Sequence, residues 1–206
     1  MFGGRQRDGT TFADTWFLSL SGDSPGWTRL DPLGPPPPRW GGAAGYDPVR
    51  HRLVVFGGQA GLDAAAAAHA DTWALTLGDR PEWRRLQPAG AAPSARRSPA
   101  HAVRNAGGRR DDPVDLIVAA GFNAQSGIHH NDVWRLRLDS PDGAWERLAD
   151  NDCASLTAPT CRRSAGAVYQ PADDRLALVF GRDAGGFFRD TFTFSFADLT
   201  WRRLSG

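Results

Sequence analysis

Ala70-Asp71-Thr72-Trp73-Ala74-Leu75-Thr76-Leu77 and, four residues later, Glu82-Trp83-Arg84-Arg85-Leu86 form the stretch that decides the fold. The second phrase, a Trp followed three residues later by a Leu, occurs four times, at Trp27, Trp83, Trp145 and Trp201. These tryptophans are separated by 56, 62 and 56 residues. A repeat of about 20–50 residues or slightly more is typical of solenoids, propellers and arrays. The chain is therefore predicted to be a repeat protein that presents a binding surface.

The first phrase predicts a strand in each repeat. Large apolar residues occupy every second position, and this period of two indicates a strand with one strongly apolar face. The pattern occurs at Trp16/Leu18/Leu20, Trp73/Leu75/Leu77, Trp134/Leu136/Leu138 and Phe192/Phe194/Phe196. The Asp that starts each copy is expected to accept hydrogen bonds from nearby backbone and to end the preceding turn.

Two further phrases complete the repeat. Apolar runs that end in glycine, at 53–58, 116–121 and 176–181, predict strands buried on both faces, and the first repeat keeps only residues 1–4 of such a run. A run of small residues precedes each complete copy and begins with Arg39, Arg97 or Arg163. Each complete repeat is thus predicted to hold four strands, named a, b, c and d in chain order. The Trp-x-x-Leu phrase is strand d, and its Trp and Leu, as at Trp83 and Leu86, are predicted to point to opposite faces.

Four short strands that are apolar on both faces describe a propeller blade, since each blade packs between two neighbours. Phe56-Gly57-Gly58, Asp71-Thr72-Trp73, Trp83 with Leu86, and Arg97 together resemble the kelch repeat. The resemblance implies an all-β, kelch-type β-propeller with three complete four-stranded blades and one incomplete N-terminal blade. Blade boundaries are predicted at about 1–38, 39–96, 97–162 and 163–206 within one domain, and the conspicuous tryptophans are expected to pack between blades. Departures from the kelch pattern occur at Ala120, Arg182 and Phe192.

Kelch-like propellers usually have six or seven blades, so this chain is expected to be a fragment of a longer protein. Closure removes exposed sheet edges, and further blades or another chain are expected to supply it. Two other interpretations remain: a compact four-bladed ring with a defective first blade, and an open arc completed by another chain.

Composition limits the classes of function. All 24 basic residues are Arg, and with 23 acidic residues the net charge is +1, which gives no case for a nucleic-acid partner. No apolar stretch is long enough to predict a membrane span. No signal peptide is recognisable, which leaves the compartment open and slightly favours the cytoplasm. Cys153 and Cys161 share one loop, where a disulfide and two reduced thiols are both compatible with the sequence.

Loop positions predict where binding occurs. The b–c loops (5–12, 59–69, 123–130 and 182–188) and the d–a loops (31–38, 87–96 and 149–162) should lie on one face of the propeller, and function is often carried by loops on a rigid scaffold. The candidate binding residues there are Arg39, Trp40, Arg97, Arg163, His129 and His130. The arginines suit the carboxylates of an acidic peptide, although a structural role in tying loops together is the competing interpretation. Trp40 interrupts the repeated pattern, and either exposure at this face or core packing is compatible with it.

The sequence favours a protein-interaction scaffold over an enzyme. His129-His130 beside Asp132 could suggest a metal pair, but adjacent residues on a loop rarely bind one ion, so neither a metal nor a cofactor is predicted. Copper-oxidase kelch propellers use a Cys–Tyr pair, and nothing here matches it, because both cysteines share one loop. The predicted partner is another protein or peptide of acidic character. The alternative is a secreted carbohydrate-binding or carbohydrate-active propeller, since channels lined by aromatic residues and arginine suit sugars.

Overall fold

A computed structural model describes residues 1–21, 24–62, 66–109 and 112–205. Within these residues it contains strands and connecting turns, and no helix there has the length and apolarity needed to cross a bilayer. The strands are β1 (Phe2–Arg5), β2 (Thr11–Ser19), β3 (Gly26–Leu30), β4 (Ala43–Asp47), β5 (Arg52–Phe56), β6 (Thr72–Thr76), β7 (Trp83–Leu86), β8 (Ala100–Arg104), β9 (Asp115–Asn123), β10 (Ile128–Arg137), β11 (Ala144–Ala149), β12 (Gly166–Gln170), β13 (Arg175–Val179), β14 (Thr191–Ser195) and β15 (Thr200–Ser205).

The strands form four antiparallel sheets in chain order. β1–β3 make a three-stranded sheet, and β4–β7, β8–β11 and β12–β15 make three four-stranded sheets in which each strand pairs with the next. Three complete blades and one incomplete N-terminal blade were predicted, and this architecture is confirmed. The sheets stack as an arc of blades 1 to 4 and do not close on themselves within the described residues.

Each blade has two chemically different faces. Trp83 packs with Val55 and Leu75 towards blade 1, whereas Leu86 packs in a separate cluster with Trp134 and other residues of blade 3. The predicted opposite orientation of the two d-strand residues is therefore confirmed. In blades 2 and 3 the face towards the preceding blade carries the tryptophans of strands c and d, whereas the face towards the following blade carries mainly aliphatic residues, with Phe56 added in blade 2.

Trp27 is a correction to the expected interblade packing of the tryptophans. Its side chain is 55% exposed, and Leu20 and Phe17 of the same blade are exposed as well. Trp27 pairs with Leu18 on the face of blade 1 that corresponds to the Trp83 face of blade 2, and no preceding blade covers it in this structure. The prediction was wrong here because packing depends on the neighbour as well as on the motif.

Strands β9 and β10 extend further than the sequence predicts. His129 pairs with Phe122 and His130 pairs with Gly121, so the two histidines belong to a strand and not to a loop at 123–130. Only residues 124–127 connect the two strands. Successive side chains of a strand point to opposite sides, and this separates the two histidines.

The glycine pair that ends strand b adopts an unusual backbone. Gly57 and Gly58 have φ angles of 70° and 98°, in the left-handed region that favours glycine. Ala120 and Phe180 replace the first glycine in blades 3 and 4, and they keep φ angles of 59° and 58°. In blade 4 the residue that departs from the glycine pair is therefore Phe180 and not Arg182, and both replacements preserve the turn.

The segments that lead into strand a meet near the propeller axis. Ser98 N donates to Gly41 O (2.6 Å) and Ser164 N donates to Ser98 O (2.9 Å), which links blades 2, 3 and 4. These bonds align Gly41, Ser98 and Ser164 as equivalent positions. The residues before them must then be equivalent too, which places Trp40 with Arg97 and Arg163. The sequence pattern placed Arg39 at the position of Arg97 and Arg163, and that alignment is wrong by one residue.

Candidate functional site

Three buried arginines hold the blades together internally. Arg39, Arg96 and Arg162 are each 2% exposed or less. In blade 3, Arg96 donates from Nη1 and Nη2 to the carboxylate of Asp132 (2.5 and 2.9 Å) and from Nη1 to the carbonyl of Ala120 (2.9 Å). Arg39 with Asp71 and Arg162 with Asp190 repeat this two-pronged ion pair. Arg39 cannot contact a partner, which corrects its assignment as a binding residue.

The Asp that starts strand c therefore has a different role from the predicted one. Its carboxylate accepts from the arginine of the same blade and from the indole of the following Trp, as between Trp134 Nε1 and Asp132 Oδ2 (2.7 Å). Burial alone would raise the pKa of Asp132, but the hydrogen bond and the charge of Arg96 outweigh it and hold the pKa below its usual value. Trp16 and Trp73 donate in the same way to Asp14 and Asp71.

The residues that follow the buried arginines line the mouth of the arc. Trp40, Arg97 and Arg163 are partly exposed and interleave with the ring of Phe122. The Arg97 guanidinium lies 4.7 Å from the Trp40 ring centroid and 5.1 Å from that of Phe122, and the Arg163 guanidinium lies 4.4 Å from that of Phe122. Such cation–π contacts contribute roughly 0.5–1 kcal/mol each when exposed, and they fix the positions of the guanidinium groups.

Arg5 and Arg182 complete the cluster, which we call the arginine mouth: Arg5, Arg97, Arg163 and Arg182. Together with Trp40 they line a cavity of about 300 Å³. Arg5 stacks over Trp40 at 4.5 Å. In the part of the chain that the structure describes, no carboxylate oxygen lies within 4.0 Å of the guanidinium nitrogens of these four residues. None of these four guanidinium groups therefore has a direct ion-pair partner among the described residues.

Electrostatic effects within the mouth agree with this description. Burial, followed by repulsion from Arg163, Arg5 and Arg182, lowers the pKa of Arg97. Burial and then Arg182 lower the pKa of Arg163, and Asp183 opposes them. Asp183 Oδ1 accepts from the backbone N–H groups of residues 185 and 186, which holds it within its own turn. An anion that entered the mouth would relieve the repulsion between these cations.

The two histidines have different environments. His129 reaches the mouth, where its Nε2 accepts from Arg163 Nη1 (3.0 Å) and its ring packs against Phe122. His130 points the other way, is 8% exposed and lies 3.4 Å from the hydroxyl of Ser94. Burial and then Arg96 lower the pKa of His130 to about 4, although Asp132 opposes them. The assignment of His130 as a partner-binding residue is thus wrong, because strand alternation buries it.

The d–a loop before blade 4 is cross-linked. Cys153 and Cys161 form a disulfide, and this loop leads directly into Arg162 and Arg163. Asn131 also holds it, since its Nδ2 donates to the carbonyls of Asp152 and Pro159 (2.7 Å each). Arg96 and Arg97 are the equivalents of Arg162 and Arg163 in blade 3, and the loop that leads into them contains no disulfide.

Sequence reasoning found part of the mouth. It selected Trp40, Arg97, Arg163 and His129, and the structure brings these four side chains together. It missed Arg5, Phe122 and Arg182. These three residues share a signal, because each directly follows the second glycine position of a b-strand turn. Among the described residues, no group of three or more His, Cys, Asp or Glu side chains could hold a metal ion.

Comparison with known proteins identifies one family and relatives of low sequence identity, of which two are described here. A family model described as the KLHDC2/KLHL20/DRC7 kelch-repeats domain matches residues 1–206. The chain is 27% identical over 212 residues to the dynein alpha chain of the flagellar outer arm of Chlamydomonas reinhardtii, with 98% of this chain and 4% of that protein covered. It is 29% identical over 199 residues to adagio-like protein 2 of Oryza sativa subsp. japonica, with 90% of this chain and 28% of that protein covered. The chain thus spans a small part of either relative.

Proposed function

The chain belongs to the kelch-repeat family, whose domains are in general protein-interaction scaffolds, and from this premise we propose that the arginine mouth binds an acidic segment of a partner protein. The guanidinium groups that surround the 300 Å³ cavity without a direct ion-pair partner are the observation that carries the proposal. Guanidinium groups pair with carboxylates through two parallel hydrogen bonds, and the stacked aromatic rings hold them ready to do so.

The position of the mouth supports the same proposal. Arg97 and Arg163 lead into strand a at the ends of d–a loops, while Arg5 and Arg182 begin b–c connections. Four blades contribute to one opening, so a bound segment would contact every repeat of the chain. The Trp40 and Phe122 rings add apolar contact area beside the charges, which favours a peptide with both acidic and apolar side chains.

A peptide array tests the proposal. The chain should retain acidic peptides, and Arg97→Gln combined with Arg163→Gln should weaken their binding at least tenfold. Arg85→Gln is the matched control, because Arg85 is exposed on the outer strand β7 and has no ion pair among the described residues. Unchanged affinity in the double variant, with native stability, would refute the assignment.

The exposed outer faces support a second element of the proposal, namely that further kelch blades of the same protein or of another chain cover them. Trp27 is 55% exposed on blade 1 and Val168 is 62% exposed on blade 4, at positions that lie inside interfaces elsewhere in the arc. An antibody blot of source cells should show a species well above 22.3 kDa, or else a 22.3 kDa species that sediments as part of a larger assembly. A monomer of 22.3 kDa would contradict this element.

The disulfide favours one alternative function, binding of carbohydrate by a secreted propeller. Disulfides persist in oxidising compartments and are rare in the cytosol. Two measurements separate this alternative from the peptide scaffold: thiol labelling of the protein from its source cells, and a glycan array. An oxidised pair together with glycan binding that requires Trp40 would favour the alternative, whereas reduced thiols and peptide binding would exclude it.

A further inference from the structure

The arginine mouth carries more positive charge than one carboxylate can balance. Its four guanidinium groups come from three blades, with two of them from blade 4, and Asp183 is the acidic group that acts on Arg163 and His129. That carboxylate is held by its own turn. One carboxylate of a bound peptide would add a single negative charge and two acceptor oxygens, which leaves most of the mouth unmatched.

The mouth also has donors to spare. Arg97 Nε is buried and has no hydrogen-bond partner among the described residues. Ser98 and Ser164 line the same cavity, and the bonds that the structure describes for these two residues near the axis use their backbone groups. Arg163 keeps one bond to His129, and its other guanidinium nitrogens remain available to a ligand. The mouth therefore matches an acceptor with several oxygens.

A phosphorylated side chain meets both requirements. It carries about −1.5 to −2 charges at pH 7 and three acceptor oxygens. Arginine forks bind such groups through paired hydrogen bonds, and serine hydroxyls add single ones. Building on the proposed function, we propose that Arg97, Arg163 and Arg182, with the hydroxyls of Ser98 and Ser164, bind a phosphorylated residue within the acidic segment of the partner.

A matched peptide series tests this inference. Three fluorescein-labelled peptide libraries share degenerate acidic flanks and differ at one central position, which is serine, glutamate or phosphoserine. Fluorescence anisotropy with the full chain should give at least tenfold tighter binding for phosphoserine than for glutamate. Inorganic phosphate at millimolar concentration should displace the phosphoserine peptides from the protein more strongly than chloride at the same concentration does.

The outcomes distinguish this inference from the proposed function. Equal binding of the glutamate and phosphoserine libraries, both reversed by the Arg97→Gln/Arg163→Gln double variant, would overturn the phosphate inference and leave the acidic-peptide function intact. Binding of none of the three libraries would overturn both. Preference for a sulfated oligosaccharide over the phosphoserine library would also overturn it, because the ligand would then be a glycan.

Two single variants sharpen the assignment. Arg97→Lys keeps the positive charge but loses the two parallel hydrogen bonds that a guanidinium group can form with a phosphate. It should therefore reduce the preference for phosphoserine over glutamate at least threefold, while both peptides still bind. Arg85→Gln should leave the preference unchanged. A preference that survives Arg97→Lys undiminished would show that Arg97 does not contact the phosphate.

Discussion

Arg96 and Arg97 are neighbours in the chain with opposite environments. Arg96 is 1% exposed and donates to the Asp132 carboxylate and to two backbone carbonyls. Arg97 is half-buried beside two aromatic rings and has no ion pair among the described residues. Arg162 and Arg163 repeat the contrast one blade later. An arginine in this fold is therefore structural where a carboxylate of the same blade lies within reach of its guanidinium group. Where no carboxylate does, the guanidinium group is available to a ligand.

Loss of the buried arginine should produce the largest effect. Arg96→Ala leaves the Asp132 carboxylate and two carbonyls buried without their partner, and removal of one member of a buried pair costs about 3–5 kcal/mol. Urea denaturation followed by tryptophan fluorescence should show this loss. If Arg96→Ala proves too unstable to purify, the milder Arg96→Lys should show a smaller loss of the same sign. A change below about 1 kcal/mol in either variant would contradict a structural role.

The disulfide distinguishes the arginine pair of blade 4 from that of blade 3. Replacing Cys153 and Cys161 by serine removes a cross-link over eight residues, which the chain-entropy relation values at about 2.5 kcal/mol. Peptide affinity should change less than threefold, because two sets of backbone hydrogen bonds still position the mouth. One set pairs Arg163 with Arg182, and the other joins Ser164 to Ser98. A tenfold loss of affinity with unchanged stability would reverse this expectation.

Acid should destabilise the fold through His130, which lies beside the buried Arg96. His130 has a pKa of about 4 in the folded protein and about 6.5 when unfolded, so the unfolded chain binds more protons between these values. Stability should therefore fall as the pH decreases from about 6.5 to about 4. Urea midpoints at pH 7 and pH 5 measure this fall, and His130→Gln should flatten it. Equal slopes in both proteins would assign the effect to other groups.

The half-buried Arg97 should show the smallest effect on stability. Arg97→Ala removes two cation–π contacts and relieves repulsion from Arg163, so the unfolding free energy should change by less than about 1 kcal/mol. Circular dichroism melts and urea curves measured beside Arg96→Ala provide the comparison. A loss as large as that of Arg96→Ala would erase the distinction between the two positions.

Sequence reasoning recovered the blades because their signals are local. A Trp and a Leu three residues apart, and apolar residues at every second position, depend only on strand geometry and burial on both faces. The expected packing failed at Trp27, because burial also requires a neighbouring blade.

The site was recovered less well because its register depends on distant contacts. Arg39 lies 32 residues from Asp71 in the chain, and only folding joins them. Matching arginine to arginine therefore aligned Arg39 with Arg97, whereas the backbone bonds of Gly41, Ser98 and Ser164 align Trp40 with it. His130 was misplaced because the predicted loop was extended to residue 130, although Gly127 ends the turn and strand β10 begins at the next residue.

The unlike faces of the blades give this chain a direction. In the interfaces between blades 2 and 3 and between blades 3 and 4, a face rich in aromatic residues meets a mainly aliphatic face, so each of these contacts joins two different surfaces. Contacts of this kind lead to rings when the rotation closes and to open filaments when it does not. A symmetric pair would instead place Trp27 against Trp27, a combination that neither of these interfaces uses. Blades added to either end of this arc would therefore keep the same orientation. The number of blades would then depend on the rotation from one blade to the next, and not on a special contact that ends the series.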